Sequence, residues 1–276
     1  MQRIEMTQMT LREVQLRSLD ILKHVHDFCQ ENQINYSLGY GTLIGAVRHK
    51  GFIPWDDDID IVMMRDDYNR FIESYKDSNE FKCFAPERGN SFFAFARVAD
   101  IKKTNVWSPT PWTYETPVGI WIDIFPLDGA GNNLTQYNEL VPSVVKTWHK
   151  TFYTRTSLRT LGEEATLFRK IKLLLKKIVY GKKHFILLNK QMQLCRTYGD
   201  NTRYVHNFAF ADDIARGKGP FERDWFNKYI DVKFEDFSFK AMIKYESFLK
   251  CLYGDYMQLP APEDQVCHDF HHYYWI

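Results

Sequence analysis

The sequence predicts an α+β fold, with a mixed sheet and flanking helices in front and a mainly helical C-terminal half behind. Three observations carry this reading. Helix and strand periodicities alternate up to about residue 130. Short apolar runs such as Ile59–Met64 and Gly119–Phe125 have strand length and sit between turn residues. From Asn132 onward the apolar spacing is mainly helical. Residues 1–130 are thus expected to form one unit, with 131–276 completing it as one continuous globular body.

The elements follow in order. Thr10 and Glu13 have capping-box spacing and open a helix to about Glu31, with Leu11, Val14, Leu22, Val25 and Cys29 on its apolar face. His24 and His26 on this helix are read as surface or packing residues. Ile34–Leu38 reads as a strand, broken by Gly39-Tyr40-Gly41, and Thr42–Arg48 as a brief helix. An acidic run leads into the strand Ile59–Met64, and Asp66–Tyr75 resumes helix. Phe81–Phe84, Phe92–Val98 and Gly119–Phe125 are the next strands. Gly199–Pro220 reads largely as loop, Phe234–Phe239 as an edge strand, and Tyr253-Gly254-Asp255 as a helix end closed by glycine.

Composition narrows the class. The 276 residues are 45% apolar and 26% charged, an ordinary globular balance, and a net charge of +1 gives no nucleic-acid signature. Five cysteines without a CxxC pair argue against a disulfide framework or a cysteine-based zinc site. The N-terminus lacks the apolar core of a signal peptide, and no uncharged apolar run approaches the roughly 18 residues that span a bilayer. A reducing, cytoplasmic setting is expected.

The chemistry concentrates in Trp55-Asp56-Asp57-Asp58-Ile59-Asp60-Ile61. Four aspartates held between apolar segments repel one another, and a hard divalent cation relieves that repulsion. Alternation along a strand turns Asp58 and Asp60 to one face, a pair suited to Mg²⁺ or Mn²⁺ and, through the metal, to a polyphosphate. A strand-capping acidic turn without ligand is the alternative. Upstream, Gly39-Tyr40-Gly41-Thr42 joins strand to helix, where backbone N–H groups could meet an anion. A glycine turn followed by Asp-x-Asp is the nucleotidyltransferase-fold arrangement, which wants a third carboxylate on a neighbouring strand. Asp123, the lone charge in Trp121–Phe125, is the candidate, with Asp128 as runner-up. Arg48, His49 and Lys50 form a basic cluster that either contacts substrate phosphates or is merely solvated. Arg97 is either a phosphate contact or half of an internal ion pair.

The stretch Tyr36–Ile61 resembles the LicD family of phosphocholine transferases and, more distantly, the fukutin-type ribitol-phosphate transferases. Trp121-Ile122-Asp123-Ile124-Phe125-Pro126-Leu127-Asp128 resembles a second family motif, and Tyr253–Pro260 a third. The resemblance implies a nucleotidyltransferase-like catalytic core and Mg²⁺ or Mn²⁺. It also implies transfer of phosphocholine, or a related phospho-alcohol, from a CDP-alcohol, with CDP-choline the family default. The acceptor would be a sugar hydroxyl on a glycan or lipid-linked glycan such as teichoic acid, lipopolysaccharide or capsule. By position Asp58, Asp60 and Asp123 would hold metal with Asp56 or Asp57 in support, and Gly41 and Thr42 would meet the donor diphosphate. Asp123 or Asp57 would accept the acceptor's proton. Two competing enzyme readings are an Asp-x-Asp glycosyltransferase and a nucleotidyltransferase that passes on the nucleoside monophosphate. A third reading is a binding module without turnover.

Two further segments stand out. Residues 165–190 carry eight Lys/Arg and no Asp or Glu. Within 165–184, Leu167, Phe168, Ile171, Leu174, Leu175 and Ile178 share a helical face. That suits either peripheral contact with an anionic membrane surface on the inner face of the cell membrane or an ordinary packed helix. The C-terminal His268, His271 and His272 lie among aromatics, including Tyr273, and are read as packing. Trp55, Trp107 and Trp112 could box a quaternary ammonium.

Overall fold

The computed structural model describes residues 6–108, 118–155, 166–267 and 271–276. In chain order the strands and helices begin with β1 (Thr7–Gln8), α1 (Leu11–Glu31), β2 (Ser37–Leu38), α2 (Tyr40–Ile44), β3 (Asp60–Met64) and α3 (Arg65–Ser74). A π-helical turn, Gly45–His49, continues α2. Then come β4 (Phe81–Phe84), β5 (Ala96–Asp100), β6 (Thr104–Trp107), β7 (Trp121–Gly129), α4 (Leu134–Arg155), α5 (Leu167–Tyr180) and α6 (His184–Cys195). The chain closes with β8 (Tyr204–His206), α7 (Asp212–Ala215), β9 (Phe221–Glu222), β10 (Tyr229–Phe234), β11 (Phe237–Met242), α8 (Tyr245–Tyr253) and β12 (His272–Trp275).

The main sheet runs β2-β3-β7-β5-β4, with β8 added to β7 and β9 to β8. β3 and β7 are parallel, and the other pairs are antiparallel. The chain is therefore an α+β protein with a mixed sheet. β7 is its hub, and it tolerates Pro126 in the interval after its last rung to β5 (Ile124) and before its first to β8 (Asp128). A second sheet, β1-β12-β6, ties the C-terminal strand to both a short N-terminal strand and the middle of the chain.

Helix α1 shows how local sequence sets an element. The Thr10–Glu13 capping box satisfies the N-terminal N–H groups, and Ile21, Leu22, Val25 and Cys29 are fully buried against the sheet. A second cluster, including Tyr137, Leu140 and Val144 of α4 with Cys195, Phe208 and Ile214, packs the helical half. His24 packs on Tyr75 and Phe81, and His26 Nδ1 lies 2.7 Å from the Tyr36 hydroxyl. All five cysteines are free thiols.

Three expectations are corrected. Residues 92–95 are not strand: they bend, placing Phe95 at 4.5 Å from the Phe125 ring, and β5 starts only at Ala96. The strand beginning at Trp121 runs on to Gly129 because β8 extends its pairing. Phe234–Phe239 is not one edge strand but the tip of the β10–β11 hairpin, turned at Glu235, whose φ is 57°. The segment 199–220 is largely loop, as expected, interrupted only by the short β8 and α7. Among the described residues, no helix is long and apolar enough to cross a membrane.

Candidate active site

The parallel register of β3 and β7 sets Asp60 directly beside Asp123. The antiparallel register of β7 and β5 sets Arg97 on Asp123's other side. Asp123 is therefore flanked in the sheet by a carboxylate and a guanidinium. Arg97 Nε donates to Asp123 Oδ1 at 2.5 Å and its Nη2 to Oδ2 at 3.3 Å. The guanidinium lies 4.3 Å from the Phe93 ring centre and 4.6 Å from that of Trp121. Of the two readings of Arg97, this is the internal ion pair.

The glycine turn grips the start of β3. Gly39 donates its N–H to the Asp60 carbonyl at 2.9 Å, and Asp60 donates its own N–H to Thr42 Oγ1 at 2.8 Å. Both backbone polar groups of Asp60 are thus held by the turn, which fixes where the strand begins. Gly41 leaves room for Asp56: a Cβ there would lie 2.7 Å from Asp56 Oδ2. Gln15 of α1 donates to the Asp56 carbonyl at 2.8 Å.

These constraints concentrate negative charge. Among the described residues, the carboxylate oxygens of Asp56, Asp57 and Asp58 lie within 4.8 Å of one another. Burial, followed by the charges of Asp58, Asp123 and Asp56, pushes the Asp60 carboxyl well above the usual range, with Arg97 pulling the other way. Such repulsion suits a hard divalent cation, so the donor set fits Mg²⁺ or Mn²⁺. The tight trio contains Asp57 rather than Asp60 or Asp123, which meet each other by register instead. Asp57 is buried and accepts a hydrogen bond from the Tyr273 hydroxyl at 2.8 Å.

The basic cluster is occupied structurally. Arg48 Nη1 donates to the carbonyls of Tyr256 (2.8 Å) and Gln258 (3.1 Å), which anchors the third motif to the first. His49 packs edge-on to Trp55, and burial, then Arg48, lowers its pKa. Lys50 ends the π-helical turn with φ 61°, and its Nζ donates to the Val47 carbonyl at 3.1 Å. Asp128, the alternative third carboxylate, is fully buried and accepts Nε and Nη2 of Arg65 at 2.7 and 2.9 Å.

Sequence reading missed two contributors. The sequence places Tyr273 among packing aromatics, yet its hydroxyl reaches Asp57 across 216 residues of chain. Asn207 donates to the Tyr40 hydroxyl at 2.9 Å, steadying the glycine turn from the far half of the chain. No local signal marks either residue, because each contact is made by tertiary pairing alone. His271 and His272 lie against the rings of Trp121 and Trp107, as expected of packing residues. Trp112 and His268 lie outside the described residues.

Comparison with known proteins agrees with the motif pattern. The family described as LicD/FKTN/FKRP, nucleotidyltransferase domain, matches residues 33–164. The chain is 32% identical over 278 residues to the lipopolysaccharide cholinephosphotransferase LicD of Haemophilus influenzae, covering 95% of this chain and 97% of that protein. It is also 47% identical over 51 residues to an uncharacterized protein of Rickettsia typhi, which covers 18% of this chain and 16% of that one. An uncharacterized Rickettsia prowazekii protein is 49% identical over 47 residues, 17% of this chain and 18% of that one. With a full-length relative at this identity and its three motifs gathered around one acidic centre, the chain belongs to the LicD family.

Proposed function

We propose that this protein is a LicD-type transferase that moves phosphocholine, or a related phospho-alcohol, from a CDP-alcohol to a sugar hydroxyl of a cell-surface glycan. CDP-choline is the favoured donor and a lipopolysaccharide-type glycan the favoured acceptor, following the full-length Haemophilus relative. The observation that carries the reading is the register match of Asp60 with Asp123 beside the Asp56–Asp58 trio. It gathers carboxylates from two of the motifs at one place.

Asp58, Asp60 and Asp123, with Asp56 in support, would hold Mg²⁺ or Mn²⁺. Bound there, the cation would neutralise charge on the donor diphosphate and on departing CMP. The protein's own groups do the rest. Asp123 or Asp57 takes the proton of the acceptor hydroxyl as its oxygen attacks the phosphorus distal to the nucleoside. One P–O bond forms to the acceptor, and the P–O bond to CMP breaks. Arg97 holds Asp123 in place, Tyr273 holds Asp57, and Gly39 and Thr42 of the glycine turn fix Asp60, with the Gly41–Thr42 stretch where the donor diphosphate would lie. Within the Arg48-His49-Lys50 segment, Arg48 contributes by fastening the third motif.

The test is product analysis with CDP-choline, Mg²⁺ and a lipopolysaccharide acceptor. Released CMP together with choline phosphate on the acceptor is expected. A CMP-tagged acceptor would instead identify a nucleotidyltransferase, and turnover of UDP-sugars but not CDP-alcohols would identify a glycosyltransferase.

A further inference from the structure

Helix α5 is amphipathic, but its apolar side faces away from the protein. Leu173 alone among its described side chains is buried. The helix packs on α4 through that residue, through Lys176, whose Nζ lies 3.6 Å over the Tyr153 ring, and through Tyr180, beneath Lys150. Phe168, Ile171, Leu174, Leu175, Ile178 and Val179 are all exposed, Phe168 by 74% and Ile178 by 78%. At 3.6 residues per turn these six fill an arc of about 140°, roughly opposite the packed face. Phe185 and Ile186, at the start of α6, add exposed apolar surface just beyond the helix.

A helix that forms to bury its apolar stripe in the core turns that stripe inward; this one turns it outward, as a surface that meets something else. The charge pattern selects the occupant. Lys172 borders one edge of the arc, and Lys170 and Lys177 the other, as lysines do when their stems lie along an apolar boundary and their ammonium groups reach for phosphates. Residues 165–190 carry eight positive charges and no negative one, so the remaining chain sums to −7 against a total of +1. An anionic surface would therefore attract this face and repel the rest, fixing orientation. A second copy would set like charge against like.

We infer that α5 is a membrane-docking helix that lies in the headgroup region of an anionic bilayer, Phe168, Leu175 and Ile178 inserted and Lys170, Lys172 and Lys177 on lipid phosphates. The helix is about 21 Å long, too short to span a bilayer, so it lies on the surface. The inference is independent of which phospho-alcohol is transferred.

The test is co-sedimentation of the full chain with vesicles of equal parts phosphatidylglycerol and phosphatidylcholine, and with phosphatidylcholine alone. Binding to the anionic vesicles is expected to exceed that to the neutral ones by about tenfold or more. Ile171→Glu/Leu175→Glu/Ile178→Glu and, separately, Lys170→Glu/Lys172→Glu/Lys177→Glu should each lower it by a similar factor, with circular dichroism and Tm unchanged. Lys176 is avoided as a probe because it packs on Tyr153. Equal binding to both vesicle types, unchanged binding by either triple variant, or no vesicle binding would overturn the inference. So would a chain that does not bind vesicles and is dimeric in sedimentation velocity, but monomeric once Ile171, Leu175 and Ile178 are replaced; a second copy would then cover the face.

Discussion

Asp60 and Asp123 are register partners on the parallel strands β3 and β7. Each strand is apolar on either side of its aspartate, and each aspartate belongs to a different motif, so the pairing converts two separate segments into one acidic site. The cost of the repulsion appears in the raised pKa of Asp60, caused by burial and then by Asp58, Asp123 and Asp56. Protonation of Asp60, the nearby Arg97 or a bound cation would each relieve it.

Asp60→Asn and Asp123→Asn should each lower CMP release from CDP-choline by roughly 10²-fold or more while the fold survives. Steady-state turnover with circular dichroism checks this. Turnover within a few-fold of the parent protein for both variants would remove these carboxylates from the chemistry.

Tyr273→Phe deletes the hydroxyl that donates to Asp57 at 2.8 Å. A hydrogen bond to a charged group contributes about 1.5–3 kcal/mol, so a measurable fall in Tm is expected. As Tyr273 positions Asp57, the apparent Mg²⁺ affinity for turnover should weaken by several-fold. A variant with lower Tm but the parent's Mg²⁺ dependence would show that the contact only stabilises the fold.

Gly41→Ala places a Cβ 2.7 Å from Asp56 Oδ2. The carboxylate can swing aside, so stability should fall by only about 1 kcal/mol, near the centre of the range for single substitutions. Asp56 would leave its place in the acidic trio, and turnover should fall by about tenfold. Urea denaturation and CMP release separate the two effects.

Asp128→Asn leaves the buried Arg65 without its bidentate partner, with only Glu87, 3.8 Å away, to offset its charge. Breaking a buried pair of this kind costs about 3–5 kcal/mol, read in urea midpoints. Mg²⁺ dependence of the remaining activity should match the parent protein, since Asp128 belongs to the scaffold.

His206 is buried and stacked on Phe221 at 4.7 Å, with Nε2 at 3.1 Å from the Lys218 carbonyl. Burial pushes its pKa down from 6.5 to about 4. Between those values the unfolded chain takes up a proton that the folded chain refuses. The stability from His206 is therefore complete above pH 6.5 and declines as pH falls towards 4, by up to about 1.4 kcal/mol per pH unit. His206→Phe keeps an aromatic ring at this position but should lose less stability between pH 7 and pH 5 than the parent protein. Thermal melts across that range test it, and parallel curves would contradict it.

What was legible in the sequence is what short-range physics writes there. The capping box at Thr10 and Glu13 lies within one helical turn, and a short unbroken apolar run marks the strand that begins at Asp60. Lone charge in an apolar strand singled out Asp123 ahead of Asp128, but it could not show that each carboxylate pairs with an arginine, Arg97 and Arg65 respectively. Alternation misled at Phe234–Phe239, because a hairpin turned at Glu235 keeps the same apolar rhythm on both sides. It misled again at residues 92–95, where aromatic side chains pack as a bend.

By itself the sequence determined the α+β class, the acidic run, the glycine turn and the family, all of which rest on residue type and local spacing. Only the tertiary structure decided that Asp60 meets Asp123, that Arg97 is Asp123's ion-pair partner, that Tyr273 secures Asp57, and that the apolar face of α5 points outward. Strand register and helix orientation depend on which distant segments share a core. Partners separated by up to 216 residues leave no periodicity that a local pattern can carry.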